Sequence, residues 1–181
     1  AELPAKQKER LLQIQETLAA LSSQFSDNLL DATNDFSLLV EDVEAVSGIP
    51  ADVLQTAKEL AEKDALSGWK FTLHMPAYLP VMQHADNRAL REKMSRAYAT
   101  RASEFDVKSA SVDGVANWDN TPLIKKILEL RREEAQMLGF DSYAEVSLTS
   151  KMATTPNQVL DFLAELAAKA KPHAQRDLQA L

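Results

Sequence analysis

A mainly α-helical fold is predicted from three observations. Apolar residues recur at spacings of three and four over most of the chain, helix-start signals recur ahead of those stripes, and only two short stretches alternate as strands do. The chain has 181 residues, enough for one domain with a real core or for a contiguous part of something larger. Its 45% hydrophobic and 26% charged residues are those of an ordinary globular protein. With 4 Gly and 7 Pro, low complexity and long disorder are not expected.

The first helix is the clearest element. Leu11, Ile14, Leu18, Leu21, Phe25 and Leu29 fall on one stripe, with Lys6, Lys8, Glu9, Arg10, Glu16 and Asp27 mostly off it. The stripe spans too few heptads for a coiled coil, so packing within a helical array is expected. Phe36, Leu38 and Val40 then alternate, as do Trp69, Phe71 and Leu73, which predicts two short strands forming a hairpin-like antiparallel element. Between them, Gly48 lies in a turn and Pro50 is placed at N1 of a helix from about Ala51 to Leu66, ended near Gly68.

The run from Met75 to Pro80 holds two prolines and is expected to be irregular, because each lacks an N–H and restrains its predecessor. Asp86 or Asn87 caps a helix bearing Leu90, Met94, Ala97 and Tyr98. A polar loop with Gly114 leads to Thr121 as N-cap and Pro122 at N1. The helix that follows should bury Ile124, Ile127, Leu128, Ala135 and Leu138, and stop at Gly139. Ser142 with Glu145, and Thr155 with Gln158, read as capping boxes. Val159, Phe162, Leu163, Leu166 and Ala170 form the last stripe, which Pro172 should kink or break.

Composition excludes several function classes. A net charge of -7 argues against a nucleic-acid partner, because phosphate binding needs clustered Lys and Arg in excess. No apolar run approaches the roughly 20 residues of a membrane span, so no membrane partner is expected. The chain has no Cys, which removes disulfides, thiolate metal sites and cysteine nucleophiles, and fits a reducing compartment. With no signal-peptide pattern at the start, a soluble cytoplasmic protein is expected. The end at Leu181 falls inside a helical composition, which suggests a fragment.

A helical zinc-peptidase motif needs two His four apart with a Glu between them. The histidines are His74, His84 and His173, and no two have that spacing. Only the fold could bring His74, His84 and Asp86 together on a metal; scattered surface residues are the expectation, with no metal and no catalytic residue in the chain. Glu41, Asp42 and Glu44, and the pair Glu133 and Glu134, are expected on solvated faces. The basic run Arg88, Arg91, Lys93, Arg96 and Arg101 offers forks for a peptide carboxylate, but pairing with Glu92, Glu104 and other acids is favoured. Trp69, Phe71, Tyr78 and Tyr98 can line a peptide groove or, as is commoner, fill a core.

Several segments, in order, carry a resemblance. They are Gln24 to Thr33, Gly68 to Met82, Asn87 to Arg91 with Tyr98 to Arg101, Asn117 to Asn120, Ile127 to Arg131, Leu138 to Ala144 and Lys151 to Ala153. Together they resemble the thimet-oligopeptidase family of zinc metallopeptidases over nearly the whole chain. The resemblance implies an almost entirely helical, two-lobed fold around a channel that admits short peptides. Its zinc is held by an HExxH helix and a downstream Glu, and this chain corresponds to a region ahead of them. Residues 1–181 are therefore expected to form part of the N-terminal helical lobe, with zinc in the full-length parent and none bound here. The implied partners are short peptides and the remaining lobe, and the parent is a zinc metalloendopeptidase whose segment alone is inactive. A stand-alone helical peptide- or protein-binding module is the alternative. A lobe separated from its partner should also expose apolar surface and self-associate.

Overall fold

The computed structural model describes residues 3–105 and 118–180. The loop expected around Gly114 lies outside the described residues. The fold is mainly helical: α1 (Ala5–Asp35), β1 (Leu38–Val40), a 3₁₀ turn (Glu44–Val46), α2 (Ala51–Lys63), β2 (Trp69–Phe71), α3 (Met75–His84), α4 (Arg88–Thr100), α5 (Thr121–Met137), α6 (Tyr143–Leu148) and α7 (Pro156–Ala180). Two compact units divide it, one comprising Ala20–Lys125 and the other Ala1–Ala19 with Lys126–Leu181.

In the unit Ala20–Lys125, β1 and β2 form a two-stranded antiparallel ribbon with Leu38 opposite Phe71 and Val40 opposite Trp69. The two alternating faces read in the sequence are thus brought onto each other, which is the pairing that stabilises a ribbon. Residues 41–68, including all of α2, connect the strands. Phe71, Leu73, Val81 and Met94 are almost wholly removed from water and anchor a core completed by Val46, Ile49, Ala57, Ala85 and Leu90. Three short helices and a ribbon therefore share one apolar centre.

Local chemistry explains several boundaries that differ from expectation. Pro50 stands just outside α2 at the N-cap position rather than at N1, and the helix ends at Lys63 rather than Leu66. The stop is made by Ala65, at φ 58°, not by Gly68. Leu66 N–H donates to the Ala61 carbonyl (2.9 Å) and Ala65 N–H to that of Glu62 (3.0 Å), the bond pair of a Schellman turn. Gly68 has a different duty. At φ +114°, a Cβ there would lie 2.5 Å from the Val40 carbonyl oxygen, so only glycine lets the chain enter β2 against β1. Gly48 is comparable: a Cβ would sit 2.3 Å from the His84 carbonyl oxygen, where the turn meets the end of α3.

The run from Met75 to Pro80 is helical, contrary to expectation. Pro76 lies in the first turn, where an N–H has no intrahelical partner to lose, and Pro80 alone interrupts the ladder. Burial of Val81 in the core holds this ten-residue helix in place. Asn87 caps α4, its side chain accepting from Leu90 N–H at 3.0 Å. Asp86 instead accepts from the Ser47 hydroxyl at 2.8 Å, tying the α2 approach to the α3–α4 link.

In the other unit, the bases of the helices are well capped. Phe140 N–H donates to the Ala135 carbonyl and Gly139 N–H to that of Gln136, so α5 stops as expected. Ser142 accepts from Glu145 N–H, while the Glu145 carboxylate reaches back to Asp141 N–H rather than to Ser142. Thr155 accepts from Gln158 N–H, with Pro156 opening α7. Pro172 does not end α7, which runs on to Ala180. The stripe expected on α5 is partly misplaced: Ile124, Leu128 and Leu138 are exposed, and the buried positions are Leu130, Glu134 and Ala135. The stripe on α7 is present in sequence, yet no residue of α7 is buried.

Candidate functional site

The histidines lie on separate elements, and all three are exposed. His74 precedes α3, His84 lies in its last turn, and His173 sits on α7, where Nδ1 is 2.8 Å from an Arg176 guanidinium nitrogen. Asp86 is engaged by Ser47, whose hydroxyl donates to it. Among the described residues no group of three His, Asp or Glu side chains comes together as a metal requires. Zinc needs three or four converging donors, which the described side chains do not provide.

The two acidic groups part company. Glu41, Asp42 and Glu44 are exposed, and Asp42 caps the 3₁₀ turn by accepting from Glu44 N–H at 3.0 Å. Glu133 and Glu134 do not both face water. Arg10 of α1 donates to both carboxylate oxygens of Glu133, at 2.7 and 2.8 Å. Those bonds hold the Glu133 carboxyl below its usual range and raise Arg10 above its own. Glu134 is buried, 7% exposed, and accepts from Gln15 at 3.4 Å. The solvated-face expectation fails here because α1 covers this side of α5, which the spacing of α5 alone does not reveal.

Among the described residues, Arg91 and Arg101 are held within the chain, but not by the acids expected. Arg91 donates to the carbonyls of Ala85 and Asp86, clamping the α3–α4 link. Arg101 donates to the Tyr98 carbonyl and lays its guanidinium 3.7 Å from the Tyr98 ring centroid. Tyr98 in turn stacks on Tyr78, with centroids 4.3 Å apart. Main-chain carbonyls and an aromatic face thus replace Glu92 and Glu104. Arg88, Lys93 and Arg96 are exposed on α4. Trp69, Phe71, Tyr78 and Tyr98 all join the core or pack on it.

One polar centre was missed. Asn120 is only 3% exposed; its amide donates to the Phe25 carbonyl (3.0 Å) and its side-chain oxygen accepts from Asn28 (2.8 Å). Its own N–H donates to the Ala102 carbonyl at 3.0 Å. A single residue, through its side chain and its backbone N–H, thereby joins α1, the exit of α4 and the start of α5. An Asn beside a helix-start signal reads as a cap, so nothing local marks this cross-chain role.

Among the described residues, an open hollow of about 410 Å³ borders Met82, Arg88, Arg91, Glu92 and Ser95, and two others are larger. One, of about 780 Å³, lies at the α6–α7 junction and is bordered by Ser142, Glu145, Lys151, Thr154 and Thr155. The other, of about 590 Å³, runs between α2, β2 and the start of α3, over Val53, Ala57, Leu60 and Phe71. No described helix is long and apolar enough to cross a membrane.

A mainly helical scaffold built around a two-stranded ribbon is the class of protein the geometry defines. A profile of peptidase family M3 matches residues 81–181. The chain belongs to peptidase family M3. It is 47% identical to oligopeptidase A of Haemophilus influenzae and 45% identical to that of Escherichia coli, in each case over 99% of this chain and 25% of the relative. A probable cytosolic oligopeptidase A of Arabidopsis thaliana is 40% identical over 96% of the chain and 24% of its own length. The chain thus spans about a quarter of the length of the relatives it matches.

Proposed function

We propose that this chain is a non-catalytic, channel-wall segment in the N-terminal lobe of a zinc-dependent, cytoplasmic oligopeptidase that hydrolyses short peptides. The observation that carries the reading is collinear identity of 44–47% to oligopeptidases A along the whole chain, over only a quarter of their length. In this reading the zinc and its ligands belong to other parts of the parent, and no hydrolytic step is assigned to these residues. The segment acts by shape: rigid, mutually braced helices narrow a passage and exclude folded proteins whatever their sequence. The bracing is physical, from the Arg10–Glu133 pair, the buried Asn120 and the clamped α3–α4 link. The bare apolar stripe of α7 supplies a surface for the remaining lobe, because an amphipathic helix gains its stability by burying such a stripe.

The test compares two purified proteins with internally quenched short peptides. The full-length parent should cleave them and lose that activity to a chelator, whereas the 181-residue chain should not cleave them. Chelator-sensitive turnover by the 181-residue chain would overturn the assignment. A natural reading frame without an HExxH would favour a stand-alone binding module instead.

A further inference from the structure

The two larger hollows differ in how their polar groups are engaged. At the α6–α7 junction, Ser142, Glu145, Thr154 and Thr155 already serve as caps, bonded to Glu145 N–H, Asp141 N–H, Gln158 and Gln158 N–H respectively. Lys151 is likewise bonded to Ser147 at 2.7 Å. Those groups complete helix ends and have little left for a ligand.

The α2–β2 groove is built the other way. Its floor is apolar: Phe71 is wholly buried, Ala57 is 3% exposed, and Val53 and Leu60 are half-buried beside them. Its rim is polar, with Asp52 on the helix wall and Thr72 and His74 on the strand wall. Among the described residues, none of those three rim side chains has a hydrogen-bond or ion-pair partner. An apolar floor with a few unengaged polar groups is the composition of a ligand site, and about 590 Å³ lies in the range such sites occupy. Charge also lies on both walls, with the Asp52 carboxylate on one and Lys70, ion-paired with Asp64, on the other. A short peptide has matching chemistry: an ammonium and a carboxylate at its ends, amide groups between them, and side chains that need an apolar seat.

We propose that the α2–β2 groove binds a short, extended peptide, with one bulky apolar side chain on the Val53–Phe71 floor and the main chain against the Asp52, Thr72 and His74 rim. This rests on the peptidase reading for the class of ligand and on the groove itself for the place. Thr56 supplies the means to block it. It is exposed on α2, lines the groove, and contributes nothing to the buried core.

The experiment titrates the isotopically labelled 181-residue chain with Gly-Phe-Gly, Gly-Gly-Gly or free phenylalanine, and follows backbone amide shifts. Gly-Phe-Gly should give saturable shifts at Ala57, Leu60 and Thr72, at least about tenfold tighter than either comparison probe, the scale of discrimination an apolar side chain provides. Thr56→Trp should weaken that binding about tenfold or more. Thr72→Val, which removes only a hydroxyl, should weaken it severalfold and serves if the tryptophan variant loses its native spectrum. Absence of saturation, equal binding of Gly-Gly-Gly or free phenylalanine, or wild-type binding by the variants overturns the proposal. Peptide cleavage by the parent is scored separately. Cleavage without groove binding removes this inference alone, and groove binding without cleavage removes the peptidase reading alone.

Discussion

In the unit Ala20–Lys125, α2, α3 and α4 turn their apolar residues onto the ribbon, and Phe71, Leu73, Val81 and Met94 lose essentially all contact with water. In the unit formed by Ala1–Ala19 and Lys126–Leu181, α7 carries an equally regular stripe, yet Phe162 is 62% and Leu166 52% exposed. The same kind of sequence pattern has ended in opposite states. An amphipathic stripe states that a helix has an apolar face, and only a neighbouring element can bury it. The closed unit has its partner for each stripe within the chain, because the ribbon lies between the helices that need it. The face of α7 has none among the described residues.

That contrast can be broken or sharpened by substitution. Phe71→Ala should have the largest effect, destabilising the chain by about 3–5 kcal/mol in urea unfolding, since it removes a wholly buried aromatic side chain. A loss below about 1 kcal/mol would show that the ribbon is not the centre of this unit. Gly68→Ala should cost about 1–3 kcal/mol, because it combines a positive φ with a Cβ thrust at the Val40 carbonyl. A thermal midpoint unchanged from the parent would refute that account. Asn120→Leu should cost about 1–3 kcal/mol by leaving the Phe25 carbonyl and the Asn28 amide unpaired. Hydrogen exchange should then accelerate first in α1 around Phe25.

Phe162→Ser belongs on the other side of the comparison. It should change stability by no more than about 0.5 kcal/mol, the range of an exposed substitution. Its effect should appear in sedimentation instead, as weaker self-association than the parent shows at high concentration. Unaltered association would mean that the α7 face is not the adhesive surface. Glu133→Gln should be the smallest change and should depend on pH. Arg10 holds the native carboxyl below its unfolded value, so the stabilisation is present above the unfolded value and lost as pH falls through the lowered native one. Parent and variant should therefore differ slightly at neutral pH and converge in acid, the difference being small because the pair is open to water.

Much of the fold was legible because its signals are local. Asn87, Ser142 and Thr155 could be read as caps because each bonds a backbone N–H three residues on. The two strands were visible through alternation, whereas their register, with Leu38 opposite Phe71 and Val40 opposite Trp69, came only from the structure. The misreadings have equally definite causes. Two prolines within five residues argued against α3, but one fell where a helix needs no donor and core burial outweighed the other. Gly68 was assigned the end of α2 by residue type, whereas Ala65 adopts the left-handed turn and Gly68 is required by an approach from a strand some 28 residues earlier.

The candidate site was less legible. Asp52, Thr72 and His74 carry no motif, and their separation along the chain hides that they border one groove. Arg91 and Arg101 were visible as cations, while their partners, main-chain carbonyls and a tyrosine face, leave no mark in composition. The sequence by itself determined the helical class, most helix starts, the two strands and membership of a peptidase family, because periodicity, caps and collinear identity are properties of chain order. Tertiary structure alone decided that Glu134 and Asn120 are buried, that α7 is bare, and that an apolar groove opens beside β2. Burial depends on which distant segment arrives at a given face, and residues more than a hundred positions apart, such as Arg10 and Glu133, meet only after the chain has folded.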